Sequence, residues 1–276
     1  MGRDAQIAFI GGGNMARSLI GGLLADGHPA THIRVSEPDA DRRERLEHEL
    51  GIRALADNAA AAAEAEAVIL AVKPQVMRSV AEEVGPALRQ RQAAAISVAA
   101  GVRLTDLERW LGAGLPVVRA MPNTPALVQS GATALIANDA ASRAQRELAE
   151  RLLRAVGQTL WLEHEGQMDA VTAISGSGPA YFFLMMEALE DAGVELGLDR
   201  ETARLLSLET ATGAARMALE STDAPAELRR RVTSPGGTTE RAIDTLEEAD
   251  LRGALQRAAA AAAGRAEEIG NLLGEQ

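Results

Sequence analysis

Short apolar runs alternate with amphipathic stretches through the first part of the chain. The runs are Gln6–Ile10, Ile33–Ser36, Ala67–Val72, Ala94–Val98, Val117–Ala120 and Thr133–Ala137. Between them Met15–Ala25, Asp39–Leu50, Gln75–Leu88 and Thr105–Leu111 repeat apolar residues at helical spacing. Arg143–Val156 reads as a further helix and Gln158–Leu162 as a last strand. Strands alternating with helices predict a parallel, doubly wound α/β sheet, because a parallel pair needs a crossover connection. From Glu165 onward only helical periodicity remains, over Gln167–Ile174, Ala180–Leu196, Arg200–Leu219, Ala226–Val232, Thr239–Glu248 and Ala249–Leu273. The predicted organisation is a Rossmann-type domain over 1–162 and an all-α domain over 163–276. The stretch 180–196 carries Tyr181, Phe182, Phe183, Met185, Met186 and Leu189, more apolar surface than one helix face needs. Such a helix is buried centrally or against a second subunit, and the pattern favours a dimer interface.

Composition narrows the chemistry. The chain of 276 residues is 47% apolar and 24% charged, ordinary for a globular protein. It has no cysteine, which excludes disulfides, Cys-ligated metals and Cys nucleophiles. Its four histidines, His28, His32, His48 and His164, predict no metal site. Aromatic residues are 2%, which leaves an aliphatic core and argues against base-stacking platforms. A net charge of −11 disfavours binding to nucleic-acid phosphates. Lys73 is the one lysine. No apolar run is long enough for a transmembrane helix, and no signal-peptide pattern precedes the first strand, so the expectation is a cytoplasmic protein without a membrane partner.

The first strand runs into Ile10-Gly11-Gly12-Gly13-Asn14-Met15-Ala16, a G-x-G-x-x-A sequence that opens a helix. The first glycine permits the tight turn, the second lets backbone approach a diphosphate, and the small third residue lets helix pack on strand. The helix N-terminus then offers free N–H groups to an anion. The predicted ligand is a dinucleotide. The second strand ends at Ser36-Glu37, and Glu37 lies 21 positions after Ala16, where a carboxylate would meet a ribose 2′-hydroxyl and favour NAD. Ser36, Arg42 and Arg43 would suit a 2′-phosphate, or the arginines form a solvated helix face.

Other segments carry weaker signals. Ala71-Val72-Lys73-Pro74-Gln75 follows a strand at the carboxyl edge, where open α/β sheets bind ligands. Ala99-Ala100-Gly101 would let a ring come close. In Arg119–Pro125, Asn123 and Thr124 either hydrogen-bond a ligand or belong to a stiff turn. Ser175-Gly176-Ser177-Gly178-Pro179 leads into the apolar helix. Thr233-Ser234-Pro235-Gly236-Gly237-Thr238-Thr239-Glu240 places glycines and hydroxyls before a helix. Its backbone N–H groups would hold a small carboxylate, or the turn is a plain helix cap.

Taken together, Phe9–Ala16, Val72–Gln75, Arg119–Pro125, Ser175–Tyr181 and Val232–Thr239 resemble the pyrroline-5-carboxylate reductases of proline biosynthesis in order and spacing across nearly the whole chain. The Ser-Pro-Gly-Gly-Thr-Thr run is the most family-specific part. The resemblance implies an NAD(P)H-dependent oxidoreductase that reduces the C=N bond of 1-pyrroline-5-carboxylate to L-proline. It also implies a homodimer joined through the helical domain, with five dimers building a decamer. By position, Ile10, Gly11, Gly12, Gly13, Asn14 and Met15 would hold the diphosphate. Ser36, Glu37 and Asn58 would lie at the adenosine ribose, and Ala71, Val72, Lys73, Pro74, Val98, Ala99 and Ala100 on the nicotinamide side. Glu165, Ser234, Gly236, Gly237, Thr238 and Thr239 would surround the substrate, with the Thr239 hydroxyl facing the ring nitrogen as the catalytic group. Glu37 stands where NADP-preferring members often carry a small hydroxyl residue, which leaves NADH open beside NADPH. The alternatives are another NAD(P)H-dependent imine or hydroxyacid reductase, or a non-catalytic NAD(P)-binding sensor. The first would place a lysine on a later helix, and none follows Lys73; the second has no use for the turn at 233–239.

Overall fold

The computed structural model describes residues 5–275, which form two compact units: residues up to 177 together with those from 262, and residues 178–261. In the first unit the order is β1 (Ile7–Ile10), α1 (Asn14–Ala25), β2 (Ile33–Ser36), α2 (Ala40–Leu50), β3 (Arg53–Leu55), α3 (Asn58–Ala62), β4 (Ala67–Leu70) and α4 (Pro74–Arg91). It continues through β5 (Ala94–Ser97), α5 (Leu104–Leu111), β6 (Val117–Met121), β7 (Gly131–Ala137), α6 (Arg143–Arg154), β8 (Gly157–Trp161) and α7 (Met168–Val171).

The strands make one sheet in the order β3-β2-β1-β4-β5-β6-β7-β8. Each strand residue faces opposite its neighbours, so β1 sends Ala8 and Ile10 to one apolar layer and Ile7 and Phe9 to the other. β4 divides Val68 and Leu70 from Ala67 and Ile69 in the same way. Both faces are covered, as a parallel sheet requires. Full burial of side chains such as Phe9, Ile69 and Leu70 stabilises the unit by about 1.5–3 kcal/mol each. Helix ends are set locally. Asp39 Oδ1 accepts the Arg42 N–H at 3.0 Å at the start of α2, and Gly51, with φ +64, closes it.

Several elements differ from the reading of the sequence. β7 runs antiparallel to β6, with Arg119 opposite Ile136, although all other paired strands are parallel. The connection there is a short turn containing the 3₁₀ segment Thr124–Val128, too short for a crossover. β3 pairs with β2 at the sheet edge although its three residues leave too short a pattern to read. The first compact unit extends to Ser177, because Met168 and the segment around it pack on the sheet's apolar layer, and it takes in the residues from 262, among them Leu273 in the same layer. The expected single helix Gln167–Ile174 is instead a 3₁₀ turn (Glu165–Gln167), α7 and a π-helical turn (Thr172–Gly176).

The second unit contains α8 (Gly178–Glu195), α9 (Arg200–Glu220), α10 (Pro225–Arg231), α11 (Thr238–Glu248) and the beginning of α12 (Leu251–Gly274), whose end belongs to the first unit. Helices α8 and α9 pack on each other where Gly193 meets Ala203; an added Cβ on Gly193 would lie 2.9 Å from the Ala203 Cβ. The outward face remains apolar: Phe182, Phe183, Leu184 and Leu189 of α8 are exposed, as are Leu205 and Leu206 of α9. No helix among the described residues is long and apolar enough to cross a membrane. His28 and His32 stand four residues apart, a spacing that pairs metal ligands on a helix. Here the 3₁₀ turn Ala30–His32 sets the rings edge to face, 6.3 Å between centroids, and His28 Nε2 lies 3.1 Å from the Ala5 carbonyl oxygen. Among the described residues no His, Asp and Glu cluster could hold a metal.

Candidate active site

The strand order reverses direction at β1 and β4, and the crevice at such a switch point is where open α/β sheets take ligands. Gly11 turns the chain there at φ +99, and an added Cβ would lie 2.7 Å from the Ala71 carbonyl oxygen. The position therefore accepts only glycine. Gly13 is exposed with nothing within 4 Å of the place a Cβ would occupy. It caps α1 with no side-chain hydrogen bond and no acidic residue in the first turn. The first N–H groups of α1 thus face outward at the positive end of the helix dipole. A cavity of about 660 Å³ opens beside them, lined by Gly12, Gly13, Asn14, Arg17, Arg42 and Arg45 among others. This cradle fits a diphosphate.

Ser36, Glu37 and Asn58 come together at the ends of β2 and α3. The Ser36 hydroxyl donates to Asn58 Oδ1 at 2.6 Å, and Asn58 Nδ2 donates to Glu83 Oε2 at 2.7 Å. Glu37 is 5% exposed, and its carboxylate is held from two sides. Oε2 accepts the Gly12 N–H at 3.1 Å and Oε1 accepts the Asp39 N–H at 3.1 Å. The sequence does not reveal this second task, bracing the glycine turn. Next to it, the Arg42 backbone N–H holds the Asp39 carboxyl below its ordinary value. The cap is therefore present above the usual carboxylate range and lost as pH falls through the lowered value. Of the arginines, Arg17 pairs with Glu49, Arg43 donates to the Glu37 and Pro38 carbonyls, and Arg42 and Arg45 line the cavity.

On the other side of the switch point, Leu70, Ser97 and Arg119 stand in one rung across β4, β5 and β6. The loops Ala71–Pro74 and Val98–Ala100 leave directly from the first two. Lys73 is the exposed N-cap of α4, with Pro74 in its first turn. Asn123 has its side chain used internally: Nδ2 donates to the Ser175 carbonyl at 3.1 Å and Oδ1 accepts the Ala132 N–H at 2.9 Å. The stiff-turn reading of 119–125 is the one that holds for it. Glu165, expected beside the substrate, is engaged as well. Its Oε1 accepts from Arg119 Nη1 at 2.7 Å and from the Leu104 N–H at 2.7 Å.

In the second unit, the turn before α11 bends at Gly236, with φ +69, and its Gly237 N–H donates to the Ser234 carbonyl at 3.0 Å. The Gly236 N–H donates to Glu240 Oε2 at 2.6 Å. An internal carboxylate thus occupies an amide that the sequence assigned to a substrate carboxylate. Ser234, Thr238 and Thr239 are exposed.

A dinucleotide-type sheet with a glycine cradle at its switch point, followed by helices with an apolar outer face, defines a two-part NAD(P)-dependent oxidoreductase. Residues 6–101 match a family model described as NADP oxidoreductase coenzyme F420-dependent, and 165–269 match pyrroline-5-carboxylate reductase dimerisation. The chain is 54% identical over 270 residues to the pyrroline-5-carboxylate reductase of Pseudomonas aeruginosa, covering 98% of each chain. The solved structure of a pyrroline-5-carboxylate reductase from Coxiella burnetii shares 46% identity at a TM-score of 0.93, over 96% of this chain and 98% of that one. The Plasmodium falciparum pyrroline carboxylate reductase, solved with NADP bound, shares 28% identity at a TM-score of 0.87, over 98% and 100%. The chain belongs to the pyrroline-5-carboxylate reductase family.

Proposed function

We propose that this chain reduces the C=N bond of 1-pyrroline-5-carboxylate to L-proline in the cytoplasm, working as a homodimer that builds into a decamer of five dimers. The exposed apolar face of α8 and α9 supports the dimer, and the family match over 165–269 covers both helices. The observation that carries the substrate reading is the likeness to a pyrroline-5-carboxylate reductase along the whole length of the chain.

Gly11–Met15 bind the cofactor diphosphate, Ser36, Glu37 and Asn58 the ribose, and the loops 71–74 and 98–100 border the nicotinamide. When bound, NAD(P)H supplies the hydride. The amides of Thr238 and Thr239 that open α11, the Gly236 amide once freed from Glu240, and the Ser234 hydroxyl fix the substrate carboxylate, so that the ring enters in one orientation. The Thr239 hydroxyl donates a hydrogen bond to the ring nitrogen, which becomes more basic as imine turns to amine. A protonated cyclic imine is already electrophilic, so what remains for the protein is to hold the reactants in place and exclude water. The test is a turnover assay with 1-pyrroline-5-carboxylate that follows the loss of NAD(P)H absorbance. No oxidation beyond the rate without enzyme would end this reading.

Two variants probe the anchoring groups. Glu240→Gln trades a charged acceptor at the Gly236 amide for a neutral one, about 1 kcal/mol weaker. The expected result is a KM for 1-pyrroline-5-carboxylate about fivefold lower at unchanged kcat, read from saturation kinetics; an unaltered KM makes Glu240 a helix cap alone. Glu37→Ser removes a negative charge from the ribose side and is expected to move the NADPH-to-NADH ratio of kcat/KM toward NADPH. Because Glu37 also braces Gly12, KM rises for both cofactors. A ratio that stays fixed removes Glu37 from cofactor choice.

A further inference from the structure

Arg119, on β6 toward the carboxyl edge of the sheet, is a buried cation, 4% exposed, and its partner Glu165 keeps its side chain 25% exposed. One oxygen of that carboxylate receives two donors, the Arg119 guanidinium and the first amide of α5, each at 2.7 Å. Arg103, the N-cap of α5, makes no capping bond with its own side chain, so Glu165 caps this helix from a distant point of the chain. A single carboxylate therefore ties together β6, the start of α5 and the segment beginning at 165.

The same segment is fastened again at its far end. Asn123, just past β6, donates to the Ser175 carbonyl, and Gly176 lies so close to Met121 that an added Cβ would be 2.7 Å from its Cε. Between the anchors the chain widens into the π-helical turn Thr172–Gly176, closed by the Ser177 N–H on the Thr172 carbonyl at 2.8 Å. Such turns often mark functional sites. Arg119 shares its rung with Leu70 and Ser97, from which the nicotinamide-side loops depart. The clamp thus stands beside the edge assigned above to the reacting ring, and the inference rests on that assignment.

We infer that Arg119 and Glu165 are a positioning pair for hydride transfer rather than substrate ligands. They hold residues 165–177 as a fixed wall of the carboxyl edge and keep that edge electrically neutral. Without the Glu165 carboxylate, the Arg119 cation would be buried unpaired where a protonated imine must approach, and both desolvation and like-charge repulsion oppose that state. Removing both charges avoids it.

The test compares Glu165→Gln, Glu165→Asp, Arg119→Met and the double variant Arg119→Met/Glu165→Gln in the intact protein. Steady-state kinetics, NADPH affinity by fluorescence and amide hydrogen exchange are measured for each. Glu165→Gln is expected to lower kcat about 10- to 100-fold with KM for 1-pyrroline-5-carboxylate and NADPH affinity held within about threefold. Exchange should rise over 165–177 and not over the central strands. The double variant should recover at least about tenfold in kcat over Glu165→Gln. If Glu165→Gln does not fold, Glu165→Asp, which keeps the charge and loses the reach, is expected to show the same loss in kcat and gain in exchange. A rise in substrate KM at unchanged kcat would overturn the inference and return Glu165 to the substrate. Unchanged exchange over 165–177 would also overturn it, whatever the activity. A wild-type protein that fails to oxidise NAD(P)H with the imine would instead defeat the functional reading, and the exchange measurement separates the two failures.

Discussion

Thr239→Ala is expected to lower kcat/KM for 1-pyrroline-5-carboxylate by roughly 10- to 1000-fold, the cost of one lost donor at a site of developing charge. NAD(P)H affinity should stay at its wild-type value, because the lost hydroxyl is assigned to the substrate ring and the glycine cradle is left intact. Thr239 is exposed on the first turn of α11. Folding therefore loses little, and a melting curve near that of wild type would accompany the drop. Thr239→Ser restores the hydroxyl and should recover most of the rate. Full turnover in Thr239→Ala would take the residue out of the chemistry. A crystal of the complex with cofactor and proline in which 234–239 faced solvent in every protomer would take out the whole turn.

The second large effect is expected from Gly11→Ala. At φ +99 an L-residue is strained, and the new Cβ would be driven against the Ala71 carbonyl at 2.7 Å, which is backbone and cannot swing aside. The turn must shift, and with it the α1 amides that meet the diphosphate. Losing two charge-assisted bonds of about 1.5 kcal/mol each raises the Kd of NAD(P)H about 100-fold or more. Kinetics should show a KM for the cofactor beyond the accessible range, while the apolar layers on both sides of the sheet keep the fold. Cofactor titration by fluorescence checks this directly, and affinity within about threefold of wild type would refute the cradle as the diphosphate site.

Much of this was readable in the sequence because repeating patterns carry it. Ile7–Ile10 and Ala67–Leu70 are buried on both faces and read as unbroken apolar runs, and Gly11, Gly13 and Ala16 follow at the spacing that a βα turn demands. The direction of β7 was not readable: a run of alternating small residues is the same whether its neighbour is parallel or not, and only the connection length decides. β3 is too short to show a period. Site residues divide in the same way. Ser36, Glu37 and Asn58 were expected together and are together. What each side chain binds within the protein depends on partners far along the chain, so neither the grip of Glu37 on Gly12 nor the pairing of Glu165 with Arg119 could be seen in local spacing. For the same reason the sequence left both a ligand contact and a stiff turn open for Asn123.

The closing helix has one further consequence. Arg103 Nη2 donates to Asn271 Oδ1 at 2.7 Å, Arg109 Nη2 donates to the Gly274 carbonyl at 2.8 Å, and Leu273 is buried among residues of the sheet's own apolar layer. The body that carries the sheet is therefore finished by residues that follow the whole of the second unit in sequence. A chain cut before residue 262 keeps every described strand yet leaves this side of the sheet uncovered. The stability of the first unit thus depends on a segment separated from its strands by more than eighty residues of another unit.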